Sequence, residues 1–196
     1  MPEPSRTNAG NWGTGDGFGR AARKGLALAA LFAGWPAIAS CLPVGEKQTT
    51  LEYQVKAAFL LNFTKFIDWP AGNPAEPFSM CILGNDPFGP AIDRMVQGET
   101  VRGRRLAVRR VRPEEAHGCQ MIFVQSFERG IAGAPAGLGP GILTVGEGEA
   151  FLREGGMIAF VIDNRRVRFD INLRAAENAA LRVSSKLLNV ARNVDK

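Results

Sequence analysis

Few side chains in this 196-residue sequence have the type and spacing for chemistry: Cys41, Cys81 and Cys119, and a single histidine, His117. One histidine excludes a two-His zinc motif, and any Ser-His-Asp triad would have to use it. His117 precedes Cys119 by two residues, which raises a Cys-His nucleophile, but no third group is placed to orient the imidazole and oxidation of an exported thiol would silence it. Gly13, Gly15 and Gly17 follow no strand, and the glycines of 137–141 and 146–148 lack phosphate-loop spacing and the Lys-Ser/Thr ending. No catalytic residue, metal site or cofactor is expected.

Cys81 and Cys119 lie in or beside two apolar runs, Phe78 to Leu83 and Met121 to Val124, that read as core strands. Neighbouring strands are about 4.8 Å apart, close enough for a disulfide. Closing a loop of this length contributes about 3–4 kcal/mol on the chain-entropy model. A structural staple is the plainer reading and a redox-responsive switch the sharper one. The densest charge cluster is Arg102, Arg104, Arg105, Arg109, Arg110 and Arg112. Around Leu106 to Val111 it reads as a solvated edge strand or as a contact for an acidic surface or anionic headgroups.

The N-terminal residues set the compartment. A Gly-, Asn-, Thr- and Ser-rich lead (1–19) gives way to Arg20, Arg23 and Lys24, the apolar run Leu26 to Ala33, and the small residues Ala37, Ala39 and Ser40. That order is a secretory signal peptide over 20–40, too short to span a bilayer. Cleavage after Ala39 releases a periplasmic protein, whereas Ile38-Ala39-Ser40-Cys41 also resembles a lipobox that would acylate Cys41 and tether it. Lys and Arg total 24 against 19 Asp and Glu, and beyond residue 40 the excess falls to about +3, so nucleic acid is not an expected partner.

After a flexible segment (41–49), the elements form one domain over 50–196. Thr49 and Glu52 fit a capping box for a helix whose stripe is Leu51, Val55, Phe59, Phe63 and Phe66, ended by Trp69-Pro70. The strand Phe78 to Leu83 follows, then a short helix to Val96, the strands Leu106 to Val111 and Met121 to Val124, and a short helix capped by Ser126. Beyond the Gly- and Pro-rich stretch 130–141 come the strand Ile142 to Val145 and a helix Glu149 to Glu154. Met157 to Ile162 and Val167 to Ile171 make a hairpin across Asp163-Asn164-Arg165-Arg166, and a helix runs from Leu173 to Asn193. The fold class is α/β: a single domain with a mixed sheet flanked by helices, and a C-terminal β-hairpin and helix.

Tyr53-Gln54-Val55-Lys56-Ala57-Ala58-Phe59, then Asn62-Phe63, Phe66 and Trp69-Pro70, then Cys81-Ile82-Leu83-Gly84-Asn85-Asp86-Pro87-Phe88-Gly89, stand in an order that resembles the YfiR family of bacterial periplasmic proteins. Gly155-Gly156-Met157-Ile158, Arg168-Phe169-Asp170-Ile171-Asn172 and Ser184-Ser185-Lys186-Leu187-Leu188 resemble its closing block. The resemblance implies a regulator, not an enzyme. Such proteins bind the periplasmic domain of an inner-membrane diguanylate cyclase and hold it inactive, so that envelope or redox stress raises cyclic di-GMP and biofilm formation. Some members carry two disulfides; this chain lacks a second pair near Thr144 to Phe151. A lipid anchor at Cys41 and a homodimer are further associations to test.

Inhibition needs a surface that prefers one conformation of the partner. In the strand Val167 to Ile171, Val167, Phe169 and Ile171 alternate with Arg168 and Asp170, so Arg168 and Asp170 are expected to face the partner, with Asp170 foremost. The rival class is a periplasmic small-ligand sensor module acting through a sensor kinase or transporter.

Overall fold

Helix α1 (Val44–Phe66) opens the computed structural model, which describes residues 44–125 and 138–195, with side chains from residue 50 onward. The expected lead and signal segment, Cys41, the Ser126 cap and most of the 130–141 stretch lie outside the described residues. Residues 44–49, expected to be flexible, are helical, and Thr49 lies inside the helix instead of capping it. Glu46, Lys47 and Gln48 are good helix formers that extend it upstream.

The buried face of α1 is Ala57, Leu60, Phe63 and Thr64, joined by Lys56, while Leu51 and Val55 face solvent. The expected stripe is therefore rotated, and its first two members lie outside the core. The helix ends at Phe66, before Trp69-Pro70, because Ile67 and Asp68 form a short strand β1 (Ile67–Asp68). Its partner is Arg182–Val183, and the Ser184 N–H takes the Phe66 carbonyl at 3.0 Å.

The main sheet is built from β2 (Phe78–Leu83), β3 (Thr100–Val101), β4 (Arg104–Val111), β5 (Met121–Val124), β6 (Leu143–Glu147), β7 (Ile158–Asp163), β8 (Arg166–Asn172) and a last strand Asn193–Asp195. In space β3 and β4 lie at one edge, followed by β2, β5, β6, β7, β8 and the last strand. Strands β4, β2, β5, β6 and β7 are mutually parallel, and β8 returns antiparallel to β7. Every residue of β2 and β5 is buried, as expected of parallel strands covered on both faces. Helix α1 and α2 (Pro90–Val96) cover one face through Leu60, Phe63, Ile92 and Val96. A 3-10 helix (Pro113–Gly118) and α3 (Glu149–Arg153) cover the other through Ala116 and Phe151.

Asn164 and Arg165 take φ of 48° and 60°, the left-handed pair that a two-residue I′ turn between β7 and β8 requires. Beyond β8 the expected long helix is broken into α4 (Leu173–Asn178), β9 (Arg182–Val183), α5 (Ser185–Leu188) and β10 (Asn193–Asp195). The cause is local. Ala180 adopts φ 58°, and the N–H groups of Ala180 and Leu181 close on the carbonyls of Glu177 and Ala176, a Schellman stop achieved without glycine. That stop buries Leu181 and releases Arg182–Val183 to pair with β1.

The arginine run is largely engaged rather than free. Arg104 donates to the carbonyls of Glu76 and Pro77 at 2.8 Å, Arg102 to that of Trp69 at 2.9 Å and to Asp68, and Arg110 holds Asp86 and Asp93. Strand β4 is an edge only beyond Arg105, because β3 pairs with its first two residues.

Candidate functional site

Cys81 of β2 and Cys119, just after the 3-10 helix, form a disulfide with Cα atoms 5.9 Å apart. Both residues are buried on the sheet face opposite α1, packed with Ile122, Ala116 and Ala159. With its thiol in the bridge and His117 exposed, Cys119 offers no nucleophile in this form. Among the described residues no group of three or more His, Cys, Asp or Glu side chains could hold a metal ion.

Arg168 is exposed, but Asp170 is not the outward-facing residue expected. Its alternation with Phe169 holds: Phe169 enters the α1 face, and Asp170 takes the other. That other face is also covered. Asp170 is 2% exposed and accepts from Arg192 Nε at 2.8 Å and from the same guanidinium's Nη2, while Arg192 also reaches Glu149 at 2.7 Å. The two carboxylates raise the Arg192 pKa further above its usual range, Asp170 contributing more. Strand β10 pairs alongside β8 and delivers Arg192, so Asp170 locks the C-terminal strand in place. Sequence alternation alone could not reveal a strand supplied from the chain's last residues.

Lys56 is the second buried ionic centre. Its ammonium reaches Glu147 at the end of β6 at 2.6 Å, pairs with Glu52 one turn back, and sits 4.3 Å over the Tyr53 ring. Burial opposes its charge, but the hydrogen bonds to Glu147 and Glu52 outweigh that cost and hold its pKa above that of free lysine. Tyr53 is pushed up, first by burial, although a hydrogen bond with the Gln125 side chain opposes the shift.

The residues displaced from the expected core stripe make the most distinctive surface. Leu51 and Val55 of α1 are 62% and 38% exposed, and Ile162 at the end of β7 is 54% exposed. With half-buried Phe59 and Val167 they line a groove of about 590 Å³ between α1 and the β7–β8 hairpin, with Arg165 and Arg166 at its rim. Ile162 and Val167 are direct cross-strand partners at the tip of that hairpin, beyond the point where the core ends. Three of the four large exposed apolar side chains among the described residues thus converge on one groove. Clustered exposure of this kind marks an interaction site, whereas scattered exposure does not. The hairpin that carries the groove also carries Arg168.

Fold and groove define a small α/β domain that presents an apolar, arginine-rimmed surface for binding. The chain belongs to the YfiR/HmsC-like family, whose model matches residues 53–192. That family comprises periplasmic regulatory rather than catalytic proteins. Among the described residues no helix is long and apolar enough to cross a membrane. No curated protein matches the chain. Among solved structures it is similar to a conserved domain protein from Vibrio cholerae O1 biovar El Tor, at 10% identity and a TM-score of 0.45, over 73% of this chain and 60% of that one. It is similar as well to an ABC domain in complex with L-Trp from Streptococcus pneumoniae, at 12% identity, a TM-score of 0.45 and the same coverages. The chain therefore spans about 60% of the length of these solved proteins.

Proposed function

We propose that this protein binds the periplasmic domain of an inner-membrane diguanylate cyclase through the groove between α1 and the β7–β8 hairpin and holds the cyclase inactive, lowering cyclic di-GMP and biofilm formation. The observation that carries the reading is the convergence of Leu51, Val55 and Ile162 on one solvent-facing groove in a member of a regulatory family. An apolar floor supplies affinity by burial, and the rim cations Arg165 and Arg166, with Arg168 nearby, favour an acidic edge on the partner. Export follows from the signal-like residues 20–40, and acylation of Cys41 would tether the inhibitor to the membrane that holds the cyclase. The disulfide is a structural staple in this reading, because both cysteines are buried in the core.

Deleting the gene in a strain that expresses it should raise cellular cyclic di-GMP and surface attachment, and re-expression from a plasmid should reverse both. Unchanged cyclic di-GMP after deletion would overturn the inhibitor reading.

A further inference from the structure

The parallel strands of the sheet stand in the order β4, β2, β5, β6, β7, so the first of them in the chain lies inside the set. From β2 the chain steps to β4 on one side, and from β5 it steps to β6 on the other. Adjacent parallel strands whose connections leave in opposite directions form a topological switch point, and in open α/β sheets ligands bind in the crevice at the carboxyl ends of those strands. Here a cavity of about 430 Å³ occupies that position. Asp86 and Phe88 line it from the loop after β2, Gln125 from the residue after β5, and Tyr53 and Gln54 from α1.

The lining is already organised. Asp86 Oδ1 accepts the N–H groups of Phe88 and Gly89 at 2.8 and 3.1 Å, and its other oxygen is held by Arg110, so the loop is fixed by its own side chain. The Tyr53 and Phe88 rings meet edge to face with centroids 5.6 Å apart, giving the crevice an aromatic wall. Gln125 and Gln54 add amide donors and acceptors. Charge decides the class of occupant. The Phe88 and Gly89 N–H groups are turned onto Asp86, the Lys56 ammonium behind Tyr53 is taken by Glu52 and Glu147, and among the described residues no lining side chain is cationic. Arg110 is shared between Asp86 and Asp93, so the wall formed by the loop after β2 carries a net negative charge that disfavours an anion.

We infer that the switch-point crevice between β2, β5 and α1 is a binding site for a small ring-bearing polar molecule that is positively charged, with its ring against Tyr53 and Phe88 and its charge toward Asp86. The site is separate from the groove at the hairpin, so it stands or falls independently of the cyclase reading.

Tyramine and 4-hydroxyphenylacetate share a ring and differ in the sign of their charge. Titrated into the ¹⁵N-labelled protein, tyramine should give saturable amide shifts at Tyr53, Asp86, Phe88 and Gln125 at concentrations up to about 10 mM, the range expected for so small a ligand. The carboxylate should bind at least about fivefold more weakly, and Tyr53→Phe, checked for an unchanged melting temperature, should weaken tyramine by about the same factor through the lost hydroxyl. Absence of saturable tyramine shifts, shifts centred elsewhere, or equal binding of the carboxylate would overturn the inference.

Discussion

Arg192 and Asp170, 22 residues apart in the chain, are joined by a two-pronged ion pair that clamps β10 to β8, with the carboxylate buried and the guanidinium reaching on to Glu149. A charge in this position is structural before it is anything else. Asp170→Lys should therefore lower stability by more than about 3 kcal/mol, because it leaves two cations facing each other at a buried site. Arg168→Glu, two residues away but exposed, should stay within about 0.5 kcal/mol of the parent. Thermal or denaturant unfolding of the two variants checks the contrast, and a stable Asp170→Lys protein would show that the clamp is dispensable.

The Lys56 centre gives a pH signature. Replacing Lys56 with Met strands Glu52 and Glu147 and should cost about 1–3 kcal/mol at neutral pH. The folded-state pKa of Lys56 lies above the ordinary lysine value of 10.5, so its contribution is fully present below that value and is lost as pH rises through the folded one. The stability gap between parent and Lys56→Met, followed by urea unfolding, should be flat through neutral pH and narrow only above about pH 10.5.

Phe151 lies across two glycines. A Cβ on Gly156 would come within 2.2 Å of its ring and 2.7 Å of its backbone oxygen, and a Cβ on Gly146 within 2.5 Å of the ring. Gly146→Ala should destabilise the fold by about 1–3 kcal/mol through overpacking. Adding Phe151→Leu should recover part of that loss, a non-additivity that a double-mutant cycle measures directly.

The bridge between Cys81 and Cys119 should appear as a linked peptide pair in non-reducing mass spectrometry of protein purified from the periplasm. Opening it with Cys81→Ser should lower stability by about 2–5 kcal/mol. Two free thiols in that material would contradict the oxidised state, and an unchanged melting temperature would deny the bridge its role as a staple.

Much of this was legible in the sequence, and the residues show why. Phe78–Leu83 and Met121–Val124 are apolar runs between turn residues, broken only by Ser79, and both are strands at those limits. Asn164 announced the hairpin turn through its tolerance of positive φ, and the cysteine pair followed from its place in or beside those strands. Three misreadings share one cause, contacts made or missed with segments distant in the chain. Leu51 and Val55 continue the helical period of α1, but they face only the tip of the β7–β8 hairpin across an open groove, so a good core pattern became a surface groove. Asp170 fits an outward strand position until Arg192 arrives from the C-terminus. Ala180 carries no glycine signal, so the break in the expected final helix is set by the burial of Leu181 and the pairing of β9 with β1.

The most direct test of the groove as the inhibitory surface is cellular cyclic di-GMP in a deletion strain complemented with Val55→Glu/Ile162→Glu. Both positions are solvent-facing, so the double variant should accumulate and melt like the parent. It should nonetheless fail to repress, leaving cyclic di-GMP at the level of the deletion strain, while Arg165→Glu/Arg166→Glu represses only in part. Full repression by the Val55→Glu/Ile162→Glu protein, at parental abundance, would rule out the groove as the inhibitory surface.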